Sequence, residues 1–256
     1  MVWNDNSIWE RSRILLGDAA IERLATVHVL LAGLGGVGSF AAEALARAGI
    51  GALTIADHDR VAPSNLNRQL CALHSTLEQQ KADVMAARIR DINPTCRVTV
   101  LDRFLEPDEL PSLLQQGSDG GGFDQVVDAI DSVSSKVALI AAALDAGIPI
   151  AASMGAGGKL DPTCIRVGDL MDSEGCPLAR EVRRRLRRSG HERGVLAVWS
   201  PEPSRPPLRP EPTGRGRPRA VNGTISYMPA LFGLTLTGVV IQRMVVGSDD
   251  TGSDLR

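Results

Sequence analysis

The stretch between residues 27 and 59 constrains the possible folds of this chain more than any other. An apolar run at residues 27–32 leads into Gly33-Leu34-Gly35-Gly36-Val37-Gly38, and small residues continue to Ala48. A second apolar run from Ile50 ends in Asp57-His58-Asp59. A strand, a glycine-rich turn, a helix and a second strand with a terminal acidic residue form a βαβ unit that binds nucleotides. The stretch therefore predicts an α/β fold with a nucleotide site at the turn.

The glycines of this turn have three physical roles. They permit the tight turn itself, a close approach of phosphate to the backbone, and close packing of the helix on the sheet. The helix that follows presents free N–H groups and the positive end of its dipole to an anion. Asp57 is placed to accept hydrogen bonds from ribose hydroxyls. The alternative is a tight structural turn without a ligand.

Predicted strands and helices alternate along the rest of the core. Two short helices are expected between residues 8 and 24, before the first strand. Further strands are expected at residues 98–101, 124–131, 150–153 and about 164–167, and helices at residues 77–92, 107–116 and 136–146. This alternation predicts a Rossmann-like, doubly wound and mainly parallel sheet. Its ligand crevice lies beyond the carboxyl ends of the strands, where Gly33, Asp57 and Asp131 fall.

A C-terminal extension follows the predicted core. It comprises a basic helix at residues 177–189, a strand at 195–200, a loop at 201–218 with seven prolines, and an apolar helix from about residue 228 to 246. Gln242 and Arg243 interrupt the apolar run, so we interpret it as a core helix and predict no membrane span. We expect a single domain over residues 1–256, divided into N-terminal helices (1–26), nucleotide-binding core (27–170) and extension (171–256).

Cysteine usage and the N-terminus limit the class of protein. The four cysteines contain no C-x-x-C pair, which argues against a zinc ribbon and against a secreted disulfide framework. The first residues lack a basic segment followed by an apolar one, so no signal peptide is indicated. We expect a cytoplasmic protein.

Charge is distributed unevenly along the chain. The formal net charge is −2, but residues 177–219 hold twelve arginines and four acidic residues. The remainder of the chain is therefore acidic. An acidic body with one basic segment suggests a polyanionic partner.

Several residues beyond the glycine-rich turn distinguish nucleotidyl transfer from hydride transfer. Asn65, Arg68 and Lys81 follow Asp57 closely and could reach the phosphates of a nucleotide. Asp131 is expected at a neighbouring strand end, where a carboxylate would hold Mg²⁺. Cations along a triphosphate and a carboxylate for a metal suit nucleotidyl transfer, whereas an NAD-dependent dehydrogenase needs none of them. The alternative for each is an ordinary loop residue.

These motifs together resemble the adenylating domain of the ubiquitin-activating-enzyme superfamily. The resemblance covers residues 11–167 and includes the glycine-rich turn, Asp57-His58-Asp59, Asn65-Leu66-Asn67-Arg68-Gln69, Lys81 and Asp128-Ala129-Ile130-Asp131-Ser132. Within the superfamily the chain is most similar to the tRNA threonylcarbamoyladenosine dehydratases. The narrower similarities lie at residues 41–47, 92–94, 131–133, 155–163, 177–179 and 222–226.

The resemblance implies a set of site residues. ATP would be held by Gly33, Gly35, Gly36, Gly38, Asp57, Asp59, Asn65, Arg68, Gln69, Lys81 and Asp131. Arg68 and Lys81 would neutralise its phosphates, Asn65 would position the α-phosphate, and Asp131 would ligate Mg²⁺. Arg11 would reach the partner's site in a homodimer, and Arg13 is the competing candidate. The implied catalytic residues are Arg11, Asn65, Arg68, Lys81 and Asp131.

The resemblance also implies a reaction. These dehydratases adenylate the carboxylate of threonylcarbamoyladenosine in tRNA, after which intramolecular attack closes a ring and releases AMP. Sulfur-donor or reductase proteins are possible partners. The main rival is an adenylyltransferase that activates a ubiquitin-like sulfur carrier, but those relatives usually carry the paired C-x-x-C motifs absent here. A third interpretation is an inactive scaffold that binds nucleotide or RNA.

Overall fold

Seven strands form one sheet in this computed structural model, which describes residues 8–116, 121–208 and 222–246. The strands are β1 (His28–Ala32), β2 (Ala52–Ala56), β3 (Arg97–Leu101), β4 (Gln125–Asp128), β5 (Ile150–Ser153), β6 (Arg166–Asp169) and β7 (Val195–Trp199). Their order is β3-β2-β1-β4-β5-β7-β6. The chain therefore leaves β1 on one side, for β2 and β3, and returns on the other side at β4. This reversal between β1 and β4 opens a crevice at the carboxyl ends of the strands.

All strand pairs are parallel except β6 with β7. The predicted mainly parallel sheet is confirmed. The predicted strand at residues 164–167 begins later, at Arg166, because Pro162–Cys164 form a 3-10 turn. The Asp161 side chain caps this turn by accepting a hydrogen bond from the Thr163 amide, which holds the segment out of the ladder.

Helices cover both faces of the sheet, as a doubly wound fold requires. They are α1 (Glu10–Leu16), α2 (Asp18–Thr26), α3 (Gly38–Ala48), α4 (Lys81–Ile92), α5 (Leu110–Gln116), α6 (Val133–Asp145), α7 (Pro177–Arg188) and α8 (Tyr227–Val246). Buried residues of α2, α3, α4 and α8 form one apolar cluster, and those of α5, α6 and α7 form a second. The two predicted N-terminal helices and the basic helix are confirmed.

Helix α4 begins at Lys81, four residues later than predicted. The preceding segment pairs instead with the loop after β2, since the Val61 amide donates to the Gln79 carbonyl and the Glu78 amide to the Val61 carbonyl. Glu78 adopts a φ of 64°, which bends the chain into this pairing. Backbone bonds to a distant loop thus set the start of the helix.

The C-terminal helix α8 packs on the core. Its inner face is fully buried against the first apolar cluster and comprises Met228, Phe232, Leu236 and Val240. Among the described residues it is the one helix long and apolar enough to cross a membrane, and 44% of that window is buried in the protein. The packing supports the interpretation of α8 as a core helix.

Helix α8 also touches the glycine-rich turn directly. A Cβ atom at Gly233 would lie 2.3 Å from the Val37 carbonyl oxygen, and one at Gly36 would lie 2.8 Å from the Pro229 Cβ. Such distances are too short for real side chains, so glycine at both positions lets the helix lie against the turn. Segments almost 200 residues apart in sequence, the turn and α8, are in contact at this point.

The proline-rich segment is described in part. Residues 201–207 contain no helix or strand, as predicted, whereas residues 209–221 lie outside the described residues. The assignment of the whole chain to a single adenylating domain stays a prediction.

Candidate functional site

A cleft of about 820 Å³ lies at the carboxyl ends of the central strands. Ten of the predicted site residues line it: Gly33, Gly35, Gly36, Asp57, Asp59, Asn65, Arg68, Gln69, Lys81 and Asp131. Gly38 and Arg11 do not line it. The sequence motifs therefore converge on one cavity, as the strand-end rule for doubly wound folds predicts.

The glycines of the turn differ in what they do. Gly33 has a φ of +89°, and its Cβ would lie 2.7 Å from the Ala129 carbonyl oxygen. A Cβ at Gly38 would lie 1.7 Å from the Gly33 carbonyl oxygen. These two glycines are required by the fold. A Cβ at Gly35 would meet nothing nearer than the Gln69 Nε2 at 3.8 Å. The fold therefore has room for a side chain at this position, and the added atom would occupy space in the cleft.

The Asp57 carboxylate fixes the end of β2 to the turn. One oxygen accepts a hydrogen bond from the Leu34 amide at 2.6 Å, and the other accepts from the Asp59 amide at 2.8 Å. Each carboxylate oxygen can accept a second hydrogen bond. Asp57 therefore has a structural role that the sequence did not reveal, and it keeps acceptor capacity for a ribose at the half-buried edge of the cleft.

The loop after β2 carries Arg68 and Asn65. The Asn65 side chain is buried and its Oδ1 accepts from the Ala62 amide at 3.0 Å, which closes a 3-10 turn. The Arg68 guanidinium donates to the Ser64 carbonyl at 2.7 Å. Ser39 joins this loop to the glycine-rich turn, because its hydroxyl donates to the Gly35 carbonyl at 2.7 Å and accepts from the Leu70 amide at 3.1 Å.

Lys81 is held at the first position of α4 and is 4% exposed. Its ammonium contacts the Asp59 carboxylate at 2.8 Å, and its amide donates to the Asp59 carbonyl at 3.0 Å. A nearly buried lysine that lines a cleft and has a carboxylate partner can exchange that partner for an anionic ligand. The sequence predicted the lysine but not its ion pair.

A fully buried ion pair lies beneath the cleft and was missed by sequence reasoning. The Lys136 ammonium contacts the Asp128 carboxylate at 2.7 Å and donates to the Ser153 carbonyl at 3.0 Å. The other Asp128 oxygen accepts from the Ile130 amide at 2.9 Å. Burial raises the pKa of Asp128, and the Lys136 charge opposes that rise. The pair joins the ends of β4 and β5 and shapes the loop that follows β4.

Asp131 lies in that loop rather than at a strand end. The predicted strand at residues 124–131 was too long, since β4 ends at Asp128. The Ile130 amide turns back to the Asp128 side chain, which ends the strand and brings Asp131 to the cleft edge. Asp131 is exposed and has no hydrogen bond or ion pair within the described part of the chain.

The donor set of the cleft fits Mg²⁺. Ligand atoms of Asp57, His58 and Asp59 lie within 4.8 Å of one another. Both Asp57 oxygens already accept backbone bonds and Asp59 pairs with Lys81, whereas Asp131 is uncommitted. A single available carboxylate beside cations suits Mg²⁺, which binds through one or two carboxylates, substrate phosphates and water.

The cleft extends beyond the predicted nucleotide site. Its second part is lined by residues 153–157, 176–178, 204–207, Asn222 and Thr224. Cys176 is 4% exposed there and directly precedes α7. Arg103 and Arg205 also line the cleft and were not predicted. Arg103 lies two residues after the end of β3, so the strand-end rule could have identified it, but no pattern marks Arg205.

Arg11 and Arg13 lie on α1, outside the cleft of their own chain. Arg11 is exposed, and Arg13 pairs with Asp18 at 3.4 Å. The same helix exposes Ile14 and Leu15, which are 79% and 84% accessible.

We expect Gly35→Ala to fold normally and to bind ATP at least ~10-fold more weakly, because the added methyl group occupies the side of the turn that approaches a phosphate. Gly38→Ala is the matched control, since its methyl group collides with the Gly33 carbonyl. That variant should lose free energy of unfolding. Urea denaturation and ATP titration check both, and normal ATP affinity in folded Gly35→Ala would remove the turn from the nucleotide site.

Replacing Lys136 by Met leaves the Asp128 carboxyl buried without its cation. Removing one partner of a buried ion pair costs about 3–5 kcal/mol, whereas replacing both partners costs much less. We therefore expect Lys136→Met to lose that much free energy of unfolding at neutral pH, measured with urea. The double variant Asp128→Asn, Lys136→Met should lose less than half as much.

The same comparison has a pH signature. Burial already raises the pKa of Asp128, and loss of the cation raises it further, above that of the unfolded chain. Between the two pKa values the folded variant binds a proton that the unfolded chain has released, so its stability falls as pH rises. The deficit of Lys136→Met should thus be smaller at about pH 5 than at about pH 8. A deficit independent of pH and equal in both variants would contradict this role of the pair.

Comparison with known proteins identifies a family and several relatives of this chain. The ThiF family model matches residues 9–251 of the chain. A tRNA threonylcarbamoyladenosine dehydratase of Escherichia coli is 49% identical over 195 residues, which are 73% of this chain and 71% of the relative. One of Bacillus subtilis is 41% identical over 194 residues, 76% of this chain and 74% of the relative.

A solved structure of a relative has the same fold as this chain. The crystal structure of E. coli tRNA N6-threonylcarbamoyladenosine dehydratase in complex with ATP matches with a TM-score of 0.85 and 38% identity, covering 98% of this chain and 100% of that chain. Because the family match spans nearly the whole sequence and the relatives share its fold, the chain belongs to the ThiF family.

Proposed function

We propose that this protein uses ATP to adenylate the carboxylate of threonylcarbamoyladenosine in tRNA and then closes a ring with release of AMP. The observation that carries the proposal is a single cleft lined by a glycine with open space beside it, by two cations and by an uncommitted carboxylate: Gly35, Arg68, Lys81 and Asp131. The names of the relatives described above and the ATP complex of the E. coli enzyme support it.

ATP binding uses the turn and the N-terminus of α3. The phosphates lie over Gly35, where free amide groups and the helix dipole favour an anion. Asp57 accepts hydrogen bonds from the ribose. Lys81 exchanges Asp59 for phosphate oxygens, and Arg68, on the adjoining loop, adds a second charge. Asn65 positions the α-phosphate. Gly33 and Gly38 hold the turn, and Gly36 and Gln69 complete the pocket.

The first chemical step is attack of a carboxylate oxygen on the α-phosphorus. The bond from that phosphorus to the bridging oxygen breaks, and pyrophosphate leaves. In-line positioning and neutralisation of charge matter more here than a general base. Asp131 would hold Mg²⁺, which supplies charge neutralisation at the phosphates.

The second step is intramolecular. A nucleophilic atom of the carbamoyl group attacks the activated carbonyl carbon, a proton is lost, and AMP leaves. The two steps together remove one water from the substrate. A tethered nucleophile has a large effective molarity, so the protein needs only to hold the adenylate dry and oriented. No covalent role for Cys176 is required.

A second copy of the chain completes the proposed site. Two exposed apolar side chains of α1, Ile14 and Leu15, suit burial against a partner. Arg11 lies on the same helix and outside its own cleft, so we propose that it reaches the partner's cleft. Arg13 suits this role less, because it pairs with Asp18. A cytoplasmic location and cooperation with sulfur-donor or reductase proteins stay predictions from resemblance.

The main alternative is adenylation of a ubiquitin-like sulfur carrier. Nothing in the first half of the cleft distinguishes the two reactions, because both transfer AMP to a carboxylate. The chain has no C-x-x-C pair, and its basic segment suits a polyanion better than a small carrier protein. These two features favour tRNA.

The decisive experiment measures AMP formation with three substrates: tRNA carrying threonylcarbamoyladenosine, the same tRNA without the modification, and a carrier protein ending in diglycine. We expect activity with the modified tRNA only. Arg68→Ala and Asp131→Ala should each lower it at least ~100-fold while remaining folded, as expected for groups that stabilise charge in the transition state.

Arg90→Ala and Asp91→Ala are matched controls, since both residues are exposed on α4 and lie outside the cleft. They should keep wild-type turnover. Activity with the carrier protein alone would replace the proposed function with its alternative. Normal turnover in a folded Arg68 or Asp131 variant would exclude that residue.

Arg11 is tested by mixing two inactive variants. If Arg11 acts in the partner's cleft, a dimer of one Arg11→Ala and one Asp131→Ala subunit has one intact site, so a co-folded mixture should recover about a quarter of wild-type activity. Arg13→Ala with Asp131→Ala is the parallel test of the competing residue. Recovery with neither pair would contradict a shared site.

A further inference from the structure

The arginines of α7 are sorted by the structure into two sets. Arg183 donates to the carbonyl and the hydroxyl of Ser173, which anchors the helix to the preceding turn. Arg185 pairs with Glu181 at 2.7 Å and donates to Ser134 on α6 at 3.1 Å. Both side chains are half-buried and fix the position of α7.

The remaining four arginines share the outer face. At about 100° per residue, the positions 180, 184, 187 and 188 fall within a stripe about 100° wide. Ala179, Val182 and Leu186, each fully buried, occupy the opposite side of the helix. The outer stripe is therefore directed to solvent.

Three of these four side chains are uncommitted. Arg184 pairs with Glu181, whose pKa is lowered to about 2 by Arg184 and Arg185. The side chains of Arg180, Arg187 and Arg188 are exposed, and their guanidinium groups have neither a hydrogen bond nor an ion pair with any described residue. They span about 12 Å along the helix axis, from a rise of about 1.5 Å per residue. A row of unpaired guanidinium groups of this length can contact several phosphates together.

The helix starts at the cleft. Cys176, Pro177 and Leu178 line the second part of the cavity, and Arg180 follows within one turn. A polymeric substrate with one residue in the cleft would therefore continue along the arginine stripe. We infer that the outer face of α7, formed by Arg180, Arg184, Arg187 and Arg188, binds the phosphate backbone of RNA next to the cleft. This inference rests on the proposed function, because it names the surface that holds the proposed substrate.

Other polyanions fit this face less well. A membrane-surface helix inserts its apolar side between lipids, but the apolar side of α7 is fully buried in the protein core. An acidic partner protein could bind anywhere on the surface, so it would not explain why this basic face begins at the catalytic cleft. The planar guanidinium fork suits phosphate oxygens, which it can contact in pairs.

The test compares two triple variants of the full-length protein. Arg180→Gln, Arg187→Gln, Arg188→Gln removes the uncommitted charges of α7. The control, Arg23→Gln, Arg90→Gln, Arg97→Gln, removes the same charge from exposed positions on α2, α4 and β3. Binding of a fluorescent tRNA transcript is measured between about 50 and 200 mM salt.

We expect the α7 triple variant to bind tRNA on the order of 100-fold more weakly at 0.1 M salt, with a log–log salt slope shallower by about two, because about three phosphate contacts are lost. The control should change affinity less than about threefold and keep the slope. Equal losses in both triple variants, or an unchanged slope in the α7 variant, would overturn the assignment.

A single substitution tests the opposite direction. Glu181→Gln removes the partner of Arg184 and Arg185, so tRNA binding should become several-fold tighter. Weaker binding in this variant would count against the face. Anionic phospholipid vesicles and polyglutamate serve as competitors. If either displaces tRNA as well as unlabelled tRNA does at equal charge, the face is not one for RNA.

Failure of this inference and failure of the proposed function are distinguishable. ATP–Mg²⁺ binding is measured for every variant and should be unchanged, since none of these arginines lines the nucleotide part of the cleft. Turnover of modified tRNA that survives the α7 triple substitution would reject the face and keep the function. If the wild-type protein binds tRNA through α7 but does not turn over modified tRNA, the function is rejected and the face is kept.

Discussion

The buried pair of Asp128 and Lys136 is the interaction on which the cleft depends. It lies at the carboxyl ends of β4 and β5, next to the reversal of strand order, and both side chains are fully inaccessible. The Asp128 side chain also turns the next residues back on themselves. Ala129 is thereby placed against Gly33, and Asp131 at the edge of the cavity. One ion pair thus sets the relation between the floor for phosphate and the candidate metal ligand.

Around this centre, individual polar side chains connect the loops of the site to strands and helices. Asp57 fixes the turn to β2, and the Ser39 hydroxyl fixes it to the loop of Arg68. Lys81, at the start of α4, is held by its ion pair with Asp59. Charged groups that are already fixed in position need little reorganisation when a triphosphate binds. Preorganisation of this kind is the main source of electrostatic catalysis.

Much of this arrangement could be predicted from sequence. The alternation of apolar runs gave the sheet and its helices, and the glycine-rich turn with Asp57 located the cleft, because local patterns encode both. What could not be predicted depends on contacts distant in sequence. The pairing of Val61 with residues 78–79 delayed α4, the Asp128–Ile130 bond shortened β4, and the ion pairs divided the arginines of α7 into two sets. Periodicity carries no information on such partners.

The contact between α8 and the glycine-rich turn has a consequence for biosynthesis. Gly233 lies against Val37, and the Thr237 hydroxyl reaches the Ala41 carbonyl across 196 positions of sequence. Domains generally begin to fold from the N-terminus as the chain emerges from the ribosome. The turn forms early, but it gains its supporting helix only when Tyr227–Val246 has been made. A nascent chain therefore exposes a nucleotide site without its supporting helix until α8 has been made, and truncation before Tyr227 removes that support while leaving every predicted site residue in place.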